Sequence, residues 1–315
     1  MPDREYVGLL CIGDPHLEGR TPGHRKDEYP QVILDKLAWC LDYAEQNRLL
    51  PALLGDLFDK PRDNPNWMLV KLIEMFHREV IGLYGNHDCA DPELKDHDSL
   101  SVLVRSGRLQ LVSEDRPWRG TMNGRAVIVG GSSYRKPIPK ELSHETAPPP
   151  LVIWLTHHDL AIPGYEETNW LRPQELPGID VVINGHIHQP AEAVTRGQTV
   201  WLNPGNISRR SRSVRAREHI PAALRIDVTQ TGWSQQMIAI PHRSFAEVFH
   251  EELIETPDQS APSSFVAGLA ELQSRRTQSG AGLLEFLSQN VNQFEQPVAA
   301  ELLLLAQETL SNASP

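Results

Sequence analysis

The chain has 315 residues, 40% of them hydrophobic, and a formal net charge of −11. That length allows one large core, or one domain with a small appendage, and the acidic balance argues against a general nucleic-acid coat. No apolar run reaches the eighteen or so residues that span a bilayer, Met1-Pro2-Asp3-Arg4-Glu5 lacks the form of a signal peptide, and Cys11, Cys40 and Cys89 show neither metal-ligand nor disulfide spacing. A cytoplasmic protein with no membrane partner is the expectation.

Tyr6 to Gly13 reads as a buried strand that ends in Asp14-Pro15-His16. A loop from Gly19 to Tyr29 leads to a helix with Leu34, Leu37, Ala38, Leu41 and Ala44 on one face, the spacing of a helix lying on a sheet. Pro51-Ala52-Leu53-Leu54 is a second strand, ending in Gly55-Asp56-Leu57-Phe58-Asp59, and a helix follows near Asn66 to His77. Val80 to Tyr84 is a third strand, which stops at Gly85 and delivers Asn86, His87 and Asp88 in succession. This alternation predicts right-handed βαβ units in a parallel or mixed sheet. The continuous apolar strands suit burial on both faces.

The middle of the chain is richer in strands. Leu109 to Val112 and Arg125 to Val129 are the first two, and Arg135 to Pro150 is a Pro-rich loop. Leu151 to Thr156 ends in His157-His158-Asp159, and Ile179 to Ile183 ends in Asn184-Gly185-His186-Ile187-His188. Thr199 to Leu202 ends in Asn203-Pro204-Gly205-Asn206, and strands around Ala222–Val228 and Gln236–Ile240 close the body. From Ser244 to Pro315 there are ten acidic and two basic residues, a net −8, against −3 for the preceding 243. This predicts a body over 1–243 and an acidic region over 244–315, with a linker at Thr256–Ser264 and short helices near Phe265–Ser274, Leu283–Asn290 and Val298–Leu310. Helices that short usually dock on something.

A lone strand-end Asp is most often a helix cap, and a lone His a satisfied polar residue. Five strand ends that finish in Asp14 and His16, Asp56, Asn86 with His87 and Asp88, His157, and His186 with His188 point instead to one site at a sheet edge. Carboxylate, imidazole and amide donors without cysteine suit divalent ions such as Mn, Fe, Zn or Ni. The donors suffice for two ions. Asp56 is the natural bridge, with Asp14, His16 and His188 on one ion and Asn86, His157 and His186 on the other. The alternation of His-x-His places His186 and His188 on one side of an extended segment.

These motifs, Asp14-x-His16, Gly55-Asp56-x-x-Asp59, Gly85-Asn86-His87-Asp88, His157 and Gly185-His186-x-His188, resemble the complete five-part signature of the calcineurin-like metallophosphoesterases over residues 6–206. The resemblance implies a two-sheet α/β sandwich flanked by helices, with a small C-terminal helical region. It implies phosphoester hydrolysis by a metal-bridged hydroxide, with Mn as the first choice of metal and Mg, Fe, Zn or Ni as alternatives. In that scheme His87 serves the leaving oxygen and Asp88 orients His87. The family's ligand is the first residue after the strand, so His157 is preferred to His158. Asp59 would suffice as a cap or as a support to the ligands.

Within the superfamily, Gly55-Asp56-Leu57-Phe58-Asp59-Lys60-Pro61, Tyr84-Gly85-Asn86-His87-Asp88 and Leu202 to Ser208 resemble the SbcD-type nucleases of DNA double-strand-break repair. That implies a DNA exo- or endonuclease working with an SbcC-type, SMC-like ATPase. Arg209, Arg210, Arg212, Arg215 and Arg217 fall within nine residues after a strand end and are candidates to grip DNA phosphates, as are Arg25 and Lys26. The alternative activity is that of a phosphatase or a small-molecule phosphodiesterase. A metal-binding regulatory subunit without turnover is a third reading. The nuclease family carries a capping domain after the core, whereas the seventy or so residues here suit ATPase docking or self-association into a homodimer.

Overall fold

The computed structural model describes residues 5–143, 148–162, 170–210 and 214–250, the side chains of 214 and 215 excepted. In chain order the elements are β1 (Gly8–Ile12), α1 (Tyr29–Gln46), β2 (Leu49–Leu53), α2 (Asn66–Met75), β3 (Ile81–Gly82), α3 (Ser99–Arg105), β4 (Gln110–Leu111) and β5 (Trp118–Met122). Then come β6 (Arg125–Ser132), β7 (Leu151–Thr156), β8 (Val181–Asn184), β9 (Ala191–Arg196), β10 (Thr199–Asn203), α4 (Val214–Glu218), β11 (Ala222–Val228), β12 (Trp233–Ala239) and α5 (Phe245–Val248). The linker and helices expected after Thr256 lie outside the described residues.

The strands form two six-stranded sheets, ordered β12-β11-β1-β2-β3-β4 and β5-β6-β7-β8-β10-β9. In the first, β1 to β4 are parallel, and the hairpin of β11 and β12 joins antiparallel to β1. In the second, β6, β7, β8 and β10 are parallel, with β5 and β9 antiparallel at the edges. This is the expected two-sheet α/β sandwich.

Alternation along each strand decides which layer a side chain joins. Leu9 and Cys11 face the second sheet, where Ile153, Leu155, Val181 and Ile183 meet them. Leu10 and Ile12 point outward and pack under Ile33, Leu37 and Cys40 of α1. The second sheet's outer face carries Val152, Trp154, Val182 and Trp201, covered by the loop residues Leu160, Ile162, Leu176 and Ile179. A central strand is thus apolar at every position, as the continuous runs predict.

α1 begins with proline in its first turn, where a missing N–H costs nothing. Its inner face is carried by Ile33, Leu34, Leu37, Cys40 and Ala44, while Ala38 and Leu41 are half-buried at its margin. The strands β5 and β9 and the short helices α3 and α4 have no counterpart in the sequence reading. Both strands are edges, and most β9 residues face solvent, so the pattern of a core strand is missing there. Among the described residues no helix is long and apolar enough to cross a membrane.

Candidate metal and catalytic site

All five motif-bearing segments leave the C-terminal ends of parallel strands: β1, β2 and β3 of one sheet, β7 and β8 of the other. The residues that the sequence singles out therefore converge where ligands collect in open α/β sheets. Asp14, His16, Asp56 and His157 are buried, Asn86, His87 and His186 are half-buried, and His188 is exposed at the rim. Donor atoms of Asp14, His16 and His188 lie within 4.8 Å of one another, as do those of Asp56, His157 and His186. His16, Asp56 and His87 form a third such group, which brings His87 nearer to the donors than its expected role requires.

The chain is bent sharply to achieve this. Asp14, His16, Asp56 and His186 take φ values of 42°, 49°, 47° and 71°, a left-handed region costing of the order of 1–3 kcal/mol per non-glycine residue. Four strained residues in one cluster are held there by the surrounding fold. Two glycines are needed for close approach. A Cβ on Gly85 would stand 2.0 Å from Asp56 Oδ1, and one on Gly55, itself at φ 102°, would stand 2.4 Å from His157 Nδ1.

Hydrogen bonds set the imidazole tautomers. His157 Nδ1 lies 2.7 Å from the Leu54 carbonyl, which can only accept, so a proton sits on Nδ1 and Nε2 is turned toward the site. His157 Nε2 faces Asn86 Oδ1 at 3.2 Å and Asp56 Oδ2 at 3.3 Å, and against the lowering effect of burial the Asp56 and Asp14 carboxylates raise the imidazole to about 9. His186 Nε2 donates to Asp159 Oδ1 at 2.8 Å, leaving Nδ1 to face the same Asn86 oxygen at 2.9 Å. Across the cluster, His16 Nε2 and His188 Nε2 are 2.9 Å apart. Asp159, which the sequence pattern leaves unassigned, orients the His186 ring. Its signal is the carboxylate two positions beyond a candidate ligand histidine.

Carboxylate, amide and imidazole groups packed this closely call for positive charge among them, as protons on the imidazoles or as a metal ion. Asp14 Oδ2, His16 Nδ1 and Asp59 Oδ1 are buried without a hydrogen-bond partner. Burial pushes the Asp14 carboxyl up to about 7, with His157 pulling down and Asp56 pushing further up. Burial would raise Asp56 too, but the imidazoles of His157, His16 and His87 outweigh it and hold its carboxyl below the usual range. The donor set thus fits divalent cations: hard oxygens and imidazoles, no thiolate, and outer N–H groups anchored to a carbonyl and a carboxylate.

The His87 ring is oriented by a different group from the one expected. Its Nδ1 donates to the Asp59 backbone carbonyl at 2.8 Å, its backbone N–H donates to Asp56 Oδ1 at 2.8 Å, and its ring packs edge-on against His16. Asp88 does not hold it. The Asp88 carboxylate instead accepts the backbone N–H groups of Gly85, Phe58 and Leu57, at 2.9, 3.0 and 3.3 Å. A fully buried carboxylate with three donors staples the β2 and β3 exit loops together, so Asp88 positions backbone. His158 Nε2 lies 2.8 Å from the Lys136 carbonyl, so this ring ties the β7 exit to the segment after β6.

The arginine loop divides. Arg209 is buried, and its guanidinium donates to the Arg243 carbonyl at 2.9 Å. Arg210 reaches the rim, where it pairs with Asp59 and Glu18, each at 3.0 Å. Arg217 lies over the Phe245 ring. Arg212 and the side chain of Arg215 lie outside the described residues. Arg25 is buried against Asp27 and the rings of Tyr29 and Phe249, and Lys26 donates to the Ala246 carbonyl. These cations are engaged within the chain, so the phosphate grip expected of Arg209 and Arg25 is not available in this arrangement.

A sequence model of the family described as calcineurin-like phosphoesterase matches residues 8–190. No curated protein sequence matches the chain. Among solved structures, similarity extends to a conserved uncharacterized protein from Streptococcus pneumoniae TIGR4, titled a predicted phosphoesterase. It is 12% identical, with 73% of this chain and 97% of that chain covered and a TM-score of 0.32. It extends also to GAP50, titled the anchor in the inner membrane complex of Plasmodium, at 10% identity, with 74% and 84% covered and a TM-score of 0.43.

Proposed function

The chain belongs to the calcineurin-like phosphoesterase family, and from that membership we propose that it is a two-metal phosphodiesterase whose substrate is DNA. The observation that carries the catalytic part is the convergence of His157 Nε2 and His186 Nδ1 on Asn86 Oδ1, with Asp56 Oδ2 3.3 Å from the same His157 nitrogen. Asp14, His16, Asp56 and His188 would hold one ion, and Asp56, Asn86, His157 and His186 the other, with Mn as the first candidate. Two such cations would supply an activated water and offset the charge that builds on phosphorus.

The chain's own residues do the rest. His87 gives its Nδ1 proton to the Asp59 carbonyl, so Nε2 is the ring atom left for the leaving oxygen, to which a ring protonated on both nitrogens would hand its second proton. Asp56 fixes the His87 backbone, coupling the acid's position to the metal cradle. Asp14 ties the two sheets together by accepting the His186 N–H at 2.9 Å.

DNA as substrate is supported by the SbcD-like segments at Gly55–Pro61, Tyr84–Asp88 and Leu202–Ser208. An SMC-like ATPase partner, and self-association through 244–315, belong to the same proposal. A second reading, hydrolysis of small phosphodiesters or phosphomonoesters, is favoured by the engagement of Arg25, Arg209 and Arg210 within the chain.

The test is incubation with Mn, and separately with Mg, of labelled linear, single-stranded and circular DNA beside bis(p-nitrophenyl) phosphate. Cleavage of both substrate types is expected. His87→Ala should lose about 10²-fold or more in kcat while Mn still raises its melting temperature. Turnover of the small ester with no DNA cut would leave the second reading, and no turnover of any phosphoester would sink both.

A further inference from the structure

Most described cations near the site are spoken for, and Arg135 is the exception. It follows β6 in the turn Ser133-Tyr134-Arg135-Lys136, closed by the Lys136 N–H on the Ser133 carbonyl at 2.9 Å. Arg135 has a φ of 64°, while Tyr134 is not left-handed. That is the pattern of a type II turn with arginine in the place that glycine ordinarily takes. The turn is held firmly. The Tyr134 N–H donates to the Tyr84 carbonyl, the Tyr84 N–H donates to Ser133 Oγ, and Lys136 gives its carbonyl to His158 and its ammonium to Glu93.

The turn also abuts the candidate metal centre. The Tyr134 ring stacks on His186, with centroids 6.1 Å apart, and stands edge-on to His157 at 6.4 Å. The Arg135 guanidinium lies 5.2 Å from the Tyr134 ring centroid. Arg135 is exposed, and among the described residues its N–H donors meet no carboxylate or carbonyl. Stacking on an aromatic ring leaves those in-plane donors free for the bidentate geometry that phosphate oxygens favour.

We propose that Arg135, seated on Tyr134, binds a phosphate of the substrate strand next to the scissile one, on the Asn86, His157 and His186 side of the centre. The proposal rests on the phosphodiesterase reading and adds a specificity residue to it. A strained arginine at a glycine position, beside the ligands and with free donors, keeps its side chain at a cost to the backbone. Substitution by glycine should therefore separate binding from folding.

The experiment measures binding of a fluorescein-labelled single-stranded oligonucleotide by anisotropy across a salt series, beside melting temperature and Mn-dependent hydrolysis of bis(p-nitrophenyl) phosphate. Arg135→Gly should melt at or above the wild-type temperature, bind about tenfold more weakly, and lose about one phosphate contact from the salt slope. Arg135→Asn, which also tolerates the left-handed backbone, should match it, and Arg135→Lys should fall between. Equal binding by wild type and Arg135→Gly, or no binding by the wild type, overturns the proposal. So does an Arg135→Gly protein that melts lower and binds no worse per folded molecule. Failure of the phosphodiesterase reading shows separately, as absence of wild-type hydrolysis of the ester and of DNA.

Discussion

Two buried polar clusters share the loop Asn206-Ile207-Ser208, and they are built on opposite terms. In the strand-end cluster, carboxylate, amide and imidazole groups crowd together, and buried atoms of Asp14, His16 and Asp59 have no hydrogen-bond partner. Behind the loop, Lys36, Arg25 and Arg209 are buried too, but each charged donor has found an acceptor: the Ile207 carbonyl, the Asp27 carboxylate and the Arg243 carbonyl. The clusters are joined through Ser208, whose hydroxyl donates to the Asp14 carbonyl at 3.1 Å. Burying an unsatisfied polar group costs free energy, so the difference separates function from scaffold. The first cluster is open to a cation from outside the chain, whereas the charged donors of the second are answered within it and only the neutral Asn206 Oδ1 and His219 Nδ1 beside them lack a hydrogen-bond partner.

The largest expected effect falls on the first cluster. Asp56→Asn should cut phosphoester turnover by about 10³-fold, the scale of removing a directly acting electrostatic group. It should also abolish the rise in melting temperature that Mn brings to the wild type through binding only the folded state. Retention of that rise would mean that Asp56 does not hold the ion.

An intermediate effect, on stability instead of chemistry, is expected behind the loop. Arg209→Ala removes a buried charged donor and should cost about 2 kcal/mol in denaturant unfolding, with little change in KM for DNA. A raised KM at unchanged stability would return Arg209 to the substrate and erase the contrast.

A further effect in the same cluster is one of pH. Burial, reinforced by the nearby Arg209 and Arg25 charges, lowers Lys36 from 10.5 to about 7. Between pH 7 and pH 10 the unfolded chain therefore binds more protons than the folded one, and stability rises with pH across that window. Lys36→Met should flatten that part of the melting-temperature profile. An unchanged profile would place the proton elsewhere.

Much of the site was legible because metal chemistry imposes residue types at fixed chain positions. Asp14, His16, Asp56, Asn86, His157, His186 and His188 all follow apolar strands, and each strand's direction carries them to one edge. Asp88 and Arg209 were misread for the same physical reason. A carboxylate beside a histidine, or an arginine beside a strand end, has the same sequence signature whether it faces substrate or backbone. Only the three N–H donors around Asp88 and the Arg243 carbonyl at Arg209 settle which. The edges β5 and β9 escaped because a solvated strand lacks the apolar run by which core strands are recognised.

The sequence by itself determined the layered α/β architecture, the order of the strand-end motifs and the donor chemistry of the site, because periodicity and residue type are local properties. The tertiary structure decided which donors meet, which nitrogen of His157 and His186 faces inward, and that His87 leans on the Asp59 carbonyl. It also decided that, among the described residues, the Arg135 guanidinium meets only the Tyr134 ring while Arg25, Arg209 and Arg210 meet carboxylates or carbonyls. These depend on distances between segments far apart in the chain, set by how two twisted sheets pack, and no local pattern encodes them.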